Sequence, residues 1–597
     1  MTSLFRKLIS LIVATGFYSA ASKALAAGMV LQSLSGPVTS AEIASFKSFM
    51  SSQSPVKTNT YDNSYADGTP GMQEEALGLM YEVSNDPALL NQMIAYADQC
   101  LALRNDLTPA GKGGQRIMWD GKIDPVWLTY PTNVTDSGYA GCENNDIVGH
   151  IAFCARLIFE TPSLWNVTVP DGNPFGTGAT YYQRAQTFLS QMDYTETNYM
   201  IKWFISPANG QIVAPSSSAW TALGQSVNAW NRQMMFMNGF QRLSECHQLL
   251  QDNPAKVAQY DAIVKASINW FVSNLQPYTT NGIPVYNWTY APGTGGSEDN
   301  TLHSTYDIWG ITRAWESGRY GLSNATLVPF ANTLQYVMNV STNHISYYVN
   351  GTEGANSSRN FIYPGWMPVA NFGAATFPIM VNMDVAQGSQ SGNAIYEALI
   401  LWVKNARYAG RYPTNNASPD FTISTPWLEN VIAGSNVTFK VTLNPLNGFT
   451  GSVSLEASGL PPGITANFSP SLITGGAGTS TVTLSASNTA VGNIYALTNA
   501  LTINATAGIG QRSTTIVLMV KSQPYFLSAK CAGANLITGV ANGFAGATCY
   551  VFGNTNPSLP INQWMPVATN VFDMNGSVSL TNSINTSIAS EFYTIKY

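Results

Sequence analysis

The chain has 597 residues, of which only 10% are charged, with a formal net charge of −6 and four histidines. A chain this long exceeds what one hydrophobic core organises and implies two or more domains. Sparse, slightly acidic charge without Lys/Arg blocks argues against nucleic acid or an anionic membrane as partner, and so few histidines argue against metal sites built on imidazole; neither a metal nor another cofactor is expected.

Arg6 and Lys7 precede an apolar run over 8–13 and the small residues Ala24, Leu25, Ala26 and Ala27. This is the pattern of an export leader spanning residues 1–27. The run is shorter than the roughly 20 apolar residues that cross a bilayer, so the mature chain is expected to be secreted without membrane insertion.

From about residue 45 to residue 412 the apolar periodicity is helical, interrupted by Gly/Pro/Asn-rich loops. Residues 73–81 and 87–103 read as a hairpin joined by Asn85, Asp86 and Pro87, with the proline in the first turn. Asp252, Asn253 and Pro254 repeat the device between helices at 233–250 and 255–274. Further helices are expected at 146–159, 180–191, 301–317, 327–339 and 389–408. Successive hairpins over residues 28–412 predict an α/α toroid of about five to seven hairpins; an irregular helical bundle is the alternative. The long loops would build one face into a cleft. Cys100, Cys142, Cys154 and Cys246 fall here and suit buried thiols as well as bridges.

After Tyr412 the texture changes. Residues 413–521 alternate apolar and polar positions with turn residues roughly every 8–12 residues, predicting an immunoglobulin-like β-sandwich. Asn447, Gly448, Phe449, Thr450 and Gly451, followed by Gly459, Leu460, Pro461, Pro462 and Gly463, resemble immunoglobulin-like modules appended to bacterial secreted carbohydrate-active proteins. Residues 522–597 read as a third, small β module for surface or substrate contact, with Cys531 and Cys549 as its expected disulfide pair.

No phosphate-binding loop, zinc-protease helix or nucleophile elbow occurs. Three polar clusters among aromatics remain. Glu143, Asn144, Asn145 and Asp146 open a helix, where unsatisfied N–H groups favour a bound carboxylate; an ordinary cap accounts for one of the four. Trp230, Asn231 and Arg232 enter the helix of 233–250 and suit an acidic sugar, through the guanidinium fork and the amide. Glu298 and Asp299 precede His303, Tyr306 and Asp307, whose spacing puts the last three on one helical face, where Asp307 can orient the imidazole.

An Asn/Arg segment followed by Leu302, His303 and Tyr306 resembles the alginate-lyase-like toroidal polysaccharide lyases, in which an Asn-His pair precedes a Ser-Leu-His-Tyr stretch. The match is partial, since Asn231 is followed by Arg232 rather than histidine. The resemblance implies β-elimination on a uronic-acid polysaccharide. Asn231 and Arg232 would neutralise the substrate carboxylate, and Tyr306 would act as base and acid with Arg232 or His303 lowering its pKa from about 10. Two other readings stand beside this one. A glycoside hydrolase would set Glu298 or Asp299 opposite Asp146 or Glu143, and a glycan-binding protein would use the same clusters without turnover.

Overall fold

The computed structural model describes residues 23–24, 29–55, 66, 69–108, 115–128, 138–223, 229–293, 296–354, 362–387, 394–412, 419–446, 448–487, 499–521, 523–543, 548–573, 576–584, 587 and 590–596. Apart from residues 23–24, the expected leader falls outside them, as do residues 413–418 and Thr294 and Gly295 of the glycine-rich stretch 293–296 that precedes Glu298.

The N-terminal part is helical: α1 (Ser40–Ser51), α2 (Thr69–Ser84), α3 (Pro87–Ala102), α4 (Asn145–Phe159), α5 (Tyr181–Thr195), α6 (Trp230–Leu250), α7 (Pro254–Asn274), α8 (Ser304–Glu316), α9 (Asn324–Asn332), α10 (Thr376–Gln387) and α11 (Ile395–Tyr408). Local chemistry sets many of the ends. Between α2 and α3, Asn85 takes φ 52°, Asp86 accepts from the Ala88 N–H at 3.0 Å, and Pro87 occupies the first turn, where its missing N–H costs nothing. Between α6 and α7, Gln251 is left-handed at φ 53° and Asn253 accepts from the Lys256 N–H at 3.1 Å. Thr39 with Glu42, and Thr180 with Gln183, form reciprocal capping boxes on α1 and α5. Helices α1 and α10 are additions to the expected set. Helix α9 starts earlier than expected, at the Ser323 cap, and ends in a π-helical turn, Thr333–Met338.

Packing orders these helices. Helix α2 packs on α4, α4 on α6, α6 on α8, α8 on a 3-10 segment (Pro364–Asn371), that segment on α11, and α11 back on α2. Each of α2, α4 and α6 also carries the neighbouring helix of its hairpin, α3, α5 and α7 respectively. The α4–α6 contact is close because two glycines face it. A Cβ on Gly149 would lie 2.3 Å from Asn238 Nδ2, and one on Gly239 would lie 2.6 Å from Asn145 Nδ2 and 2.8 Å from the Asn145 carbonyl. Gly239→Ala therefore forces backbone apart, and a destabilisation of about 1–3 kcal/mol is expected. A thermal melt indistinguishable from that of the unsubstituted protein would show that the helices can separate at no cost.

The β part begins with a two-sheet sandwich built from β1 (Asp420–Ser424), β2 (Leu428–Ile432), β3 (Asn436–Leu446), β4 (Val453–Ser458), β5 (Ile464–Ser469), β6 (Leu472–Ile473), β7 (Gly478–Ala486), β8 (Asn499–Ala507) and β9 (Gly510–Lys521). One sheet runs β6-β4-β8-β9-β2 and the other β5-β7-β3-β1. Strand β2 is parallel to β9 while the remaining pairs are antiparallel, an immunoglobulin-like arrangement. Alternation fills the space between the sheets with residues such as Phe439, Val441, Val482, Leu484, Leu501 and Ile503. On its outer side Leu428 and Met519 join the helical core, and Asn324 donates to Thr422 Oγ1 at 2.8 Å.

The last unit holds two three-stranded sheets. Tyr525–Ala532, Asn535–Ala541 and Val578–Ser583 form one; Met565–Val571, Thr548–Asn554 and Phe592–Lys596 form the other. The expected disulfide is absent: Cys531 and Cys549 are both free thiols. They belong to different sheets, with Cys531 exposed opposite Leu536 and Cys549 buried in the core opposite Asn570.

Candidate functional site

Helix starts carry the predicted clusters, and three of those starts approach one another. Arg232, in the first turn of α6, lies close to Glu143 before α4, to Tyr290 and Tyr139, and to His303 at the cap of α8. Burial works against the guanidinium's charge, yet Glu143 and the neighbouring Cys142 and Tyr290 raise its pKa above the ordinary arginine value. His303 is shifted the other way. Burial and then the Arg232 charge depress it, so the imidazole is neutral at neutral pH.

The tautomer of His303 follows from its neighbour. Asn300 Oδ1 accepts from the Leu302 and His303 backbone N–H groups at 3.0 and 3.2 Å. That orientation turns Asn300 Nδ2 toward His303 Nδ1, 3.1 Å away. Nδ1 then accepts, and the ring proton sits on Nε2 as a donor. The imidazole packs against Tyr290, with ring centroids 4.5 Å apart. Sequence reading missed Tyr290, which follows Trp288 in a loop without periodicity. Its phenol is raised by burial, with Arg232 pulling against that shift.

Tyr306 is one turn further into α8. It lines a narrow pocket with Glu75, Asp146, His150, Asn238 and Arg313. The pocket's free space, about 10 Å³, is on the order of one water. Arg313 is half-buried there, its pKa lowered by desolvation and then by the nearby Arg242.

Several expected substrate contacts are structural instead. Trp230 is buried edge-on to Trp270 and Phe271, so its faces are not available to a sugar. Asn144 accepts from the Trp127 N–H at 3.0 Å, and Asn145 donates to the Phe236 carbonyl at 2.7 Å; both are fully buried. Asp307 does not orient His303. It and Asp299 are each 0% exposed, and Trp288 Nε1 donates to both at 3.0 Å. Burial and mutual repulsion hold Asp307 well above the usual carboxyl range, and burial lifts Asp299 to about 6, so this sealed pair retains a proton. Glu298 is half-buried in the bridge to Thr289, and Asn231 is half-buried beside Arg232. Asp146, by contrast, faces the pocket and accepts from Asn238 Nδ2 at 2.6 Å.

Below Tyr306 the pocket runs into an ion cluster that sequence reading missed. His150 Nδ1 lies 3.0 Å from Glu75 Oε2, and Arg242 donates to Glu75 Oε1 at 3.1 Å. Burial opposes the imidazolium, but Asp146 and Glu75 outweigh it and raise His150 to about 9. His247, between Asp193 and Asp252, is likewise raised to about 9 against its own burial. Both shifts lie above the unfolded histidine value of about 6.5. Their stabilisation is complete below that pH and is lost as pH rises through about 9. Thermal unfolding midpoints should therefore fall between these values, and less steeply in His150→Gln. A flat profile over that range would contradict the cluster's protonation.

No family model matches the chain, and no curated protein matches it. Among solved structures it is similar, over 30% of its length, to bovine butyrophilin (10% identity, 92% of that chain, TM-score 0.14). It is similar over the same share to titin A168169 (14% identity, 89% of that chain, TM-score 0.14) and to a marsupial T cell receptor (7% identity, 96% of that chain, TM-score 0.14). The immunoglobulin-like description of 420–521 rests on this chain's own strand order.

Proposed function

We propose that the chain is a secreted polysaccharide lyase whose helical part is an α/α toroid, and that it cleaves a uronic-acid-containing glycan by β-elimination. The packing circuit from α2 through α4, α6, α8 and α11 back to α2 supports the toroid. The observation that carries the activity is Arg232 beside a neutral His303 at adjoining helix starts, with Tyr306 one turn away. Arg232 and the Nε2–H of His303 give two donors for the substrate carboxylate, and neutralising that charge makes the adjacent C–H acidic. Tyr306, which shares its pocket with Arg313, takes that proton in its deprotonated form. The electron pair forms the new C=C bond as the glycosidic C–O bond breaks, and the same proton passes to the departing oxygen.

The hydrolase reading needs a carboxylate pair open to the sugar, whereas Asp299 is sealed against Trp288. Incubation with a panel of acidic polysaccharides decides the matter. A lyase generates a conjugated double bond and rising near-ultraviolet absorbance. Reducing ends appearing without absorbance would identify a hydrolase, and binding without either product would identify a glycan-binding protein.

A further inference from the structure

The helical part, the sandwich and the last β unit meet around a groove of about 760 Å³, within the range typical of ligand sites, about 300–1,000 Å³. Each unit supplies part of it. Helix α5 presents Tyr182 and the exposed Gln186, the start of α7 presents Lys256, the end of β9 presents Lys521, and the last unit presents Asn542.

The floor is built in advance. His247 Nε2 lies 3.0 Å from Asp193 Oδ2, and its Nδ1 lies 2.7 Å from Asp252 Oδ1. Tyr260 donates to Asp193 Oδ1 at 2.8 Å, and Lys256 Nζ lies 2.5 Å from Asp193 Oδ2. These groups are fixed by one another before any ligand arrives, so the floor itself needs no reordering on binding. With the imidazolium protonated, the cations His247, Lys256 and Lys521 outnumber the carboxylates Asp193 and Asp252 by one. Lys521 is 8% exposed, and its Nζ meets the Gly543 carbonyl at 3.5 Å. Burial draws its pKa down to about 8, the shift that a nearby anion would reverse. Tyr182 lies against Trp165 with centroids 4.7 Å apart and remains half-buried, which suits it to the apolar face of a sugar ring.

We infer that this three-way groove is a second carbohydrate site, taking an anionic glycan segment through Lys521, Gln186 and Tyr182, apart from the cluster around Arg232. It does not depend on the lyase reading, because binding there requires no turnover.

The test uses the full chain carrying Arg232→Ala, so that the central cluster is disabled, titrated calorimetrically with saturated tetragalacturonate and, separately, with the neutral cellotetraose. Binding of tetragalacturonate is expected. Lys521→Met should weaken it about tenfold or more, the usual scale for a lost charged hydrogen bond. Gln186→Trp, which fills the groove from an exposed helical position, should abolish it. Placed singly in the chain with Arg232 intact, both substitutions should leave turnover of a soluble acidic substrate and the unfolding midpoint unchanged. Unaltered tetragalacturonate binding in both variants, or no binding in the Arg232→Ala background, overturns the assignment. Equal affinity for cellotetraose that survives Lys521→Met overturns its anionic character.

Discussion

Tyr306→Phe and His303→Ala are each expected to lower turnover of a uronic-acid polysaccharide by about 10²–10⁴-fold, the usual contribution of a positioned acid–base group. The two substitutions act differently. Tyr306→Phe keeps the ring in its pocket with Met234 and Trp309 and deletes only the hydroxyl, so the stability cost should stay near that of one hydrogen bond, about 1 kcal/mol. His303→Ala removes a side chain that is 31% exposed, together with its contacts to Asn300 and Tyr290. If the imidazole serves the carboxylate, its loss should appear in kcat/KM, and His303→Gln should recover part of it by restoring an N–H donor. Both variants turning over within a few-fold of the unsubstituted protein, with unchanged melts, would remove the site from this part of the molecule. Tyr290→Phe offers a contrast: it keeps the ring against His303 and should cost far less.

Local signals explain most of what the sequence makes legible. Asn85, Asp86 and Pro87 dictate a left-handed residue, a cap and a helix start in succession, and Gln251 to Pro254 repeat the logic, so these hairpins are readable without tertiary information. Strand alternation does the same for the sandwich. The site is only half legible, because helical spacing places His303, Tyr306 and Asp307 on one face but says nothing of what that face meets. Trp288, remote from the helix in sequence, captures Asp307 and Asp299, while Asn300 takes the orienting role expected of Asp307. Tyr290 and Glu75 carry no pattern of their own, and only the packing of α2, α4, α6 and α8 gives them partners. The 3-10 segment Pro364–Asn371 completes the circuit between α8 and α11, in a stretch where the sequence predicts no helix. Its Pro368, inside the segment, lacks the N–H group that a longer helical run needs there.

The contact that ties the first helix to the last is the other point of large effect. Lys404 on α11 donates to both oxygens of Glu42 on α1, at 2.7 and 2.8 Å, with 1% and 0% of the two side chains exposed. Glu42 also accepts from the Gln32 and Thr39 backbone N–H groups at 2.7 and 2.9 Å. Breaking such a pair by removing one partner leaves a buried charge uncompensated. Lys404→Met is therefore expected to destabilise the helical part by about 3–5 kcal/mol, read in urea unfolding followed by tryptophan fluorescence. Glu42→Gln combined with Lys404→Met leaves no orphan charge and retains an acceptor for one of the two backbone donors. The double variant should accordingly be more stable than Lys404→Met alone, giving a coupling energy of about 0.5–3 kcal/mol, the range for residues in direct contact. Additive losses in the two single variants would mean that the pair contributes nothing as a pair, and that α1 and α11 are joined by apolar packing alone.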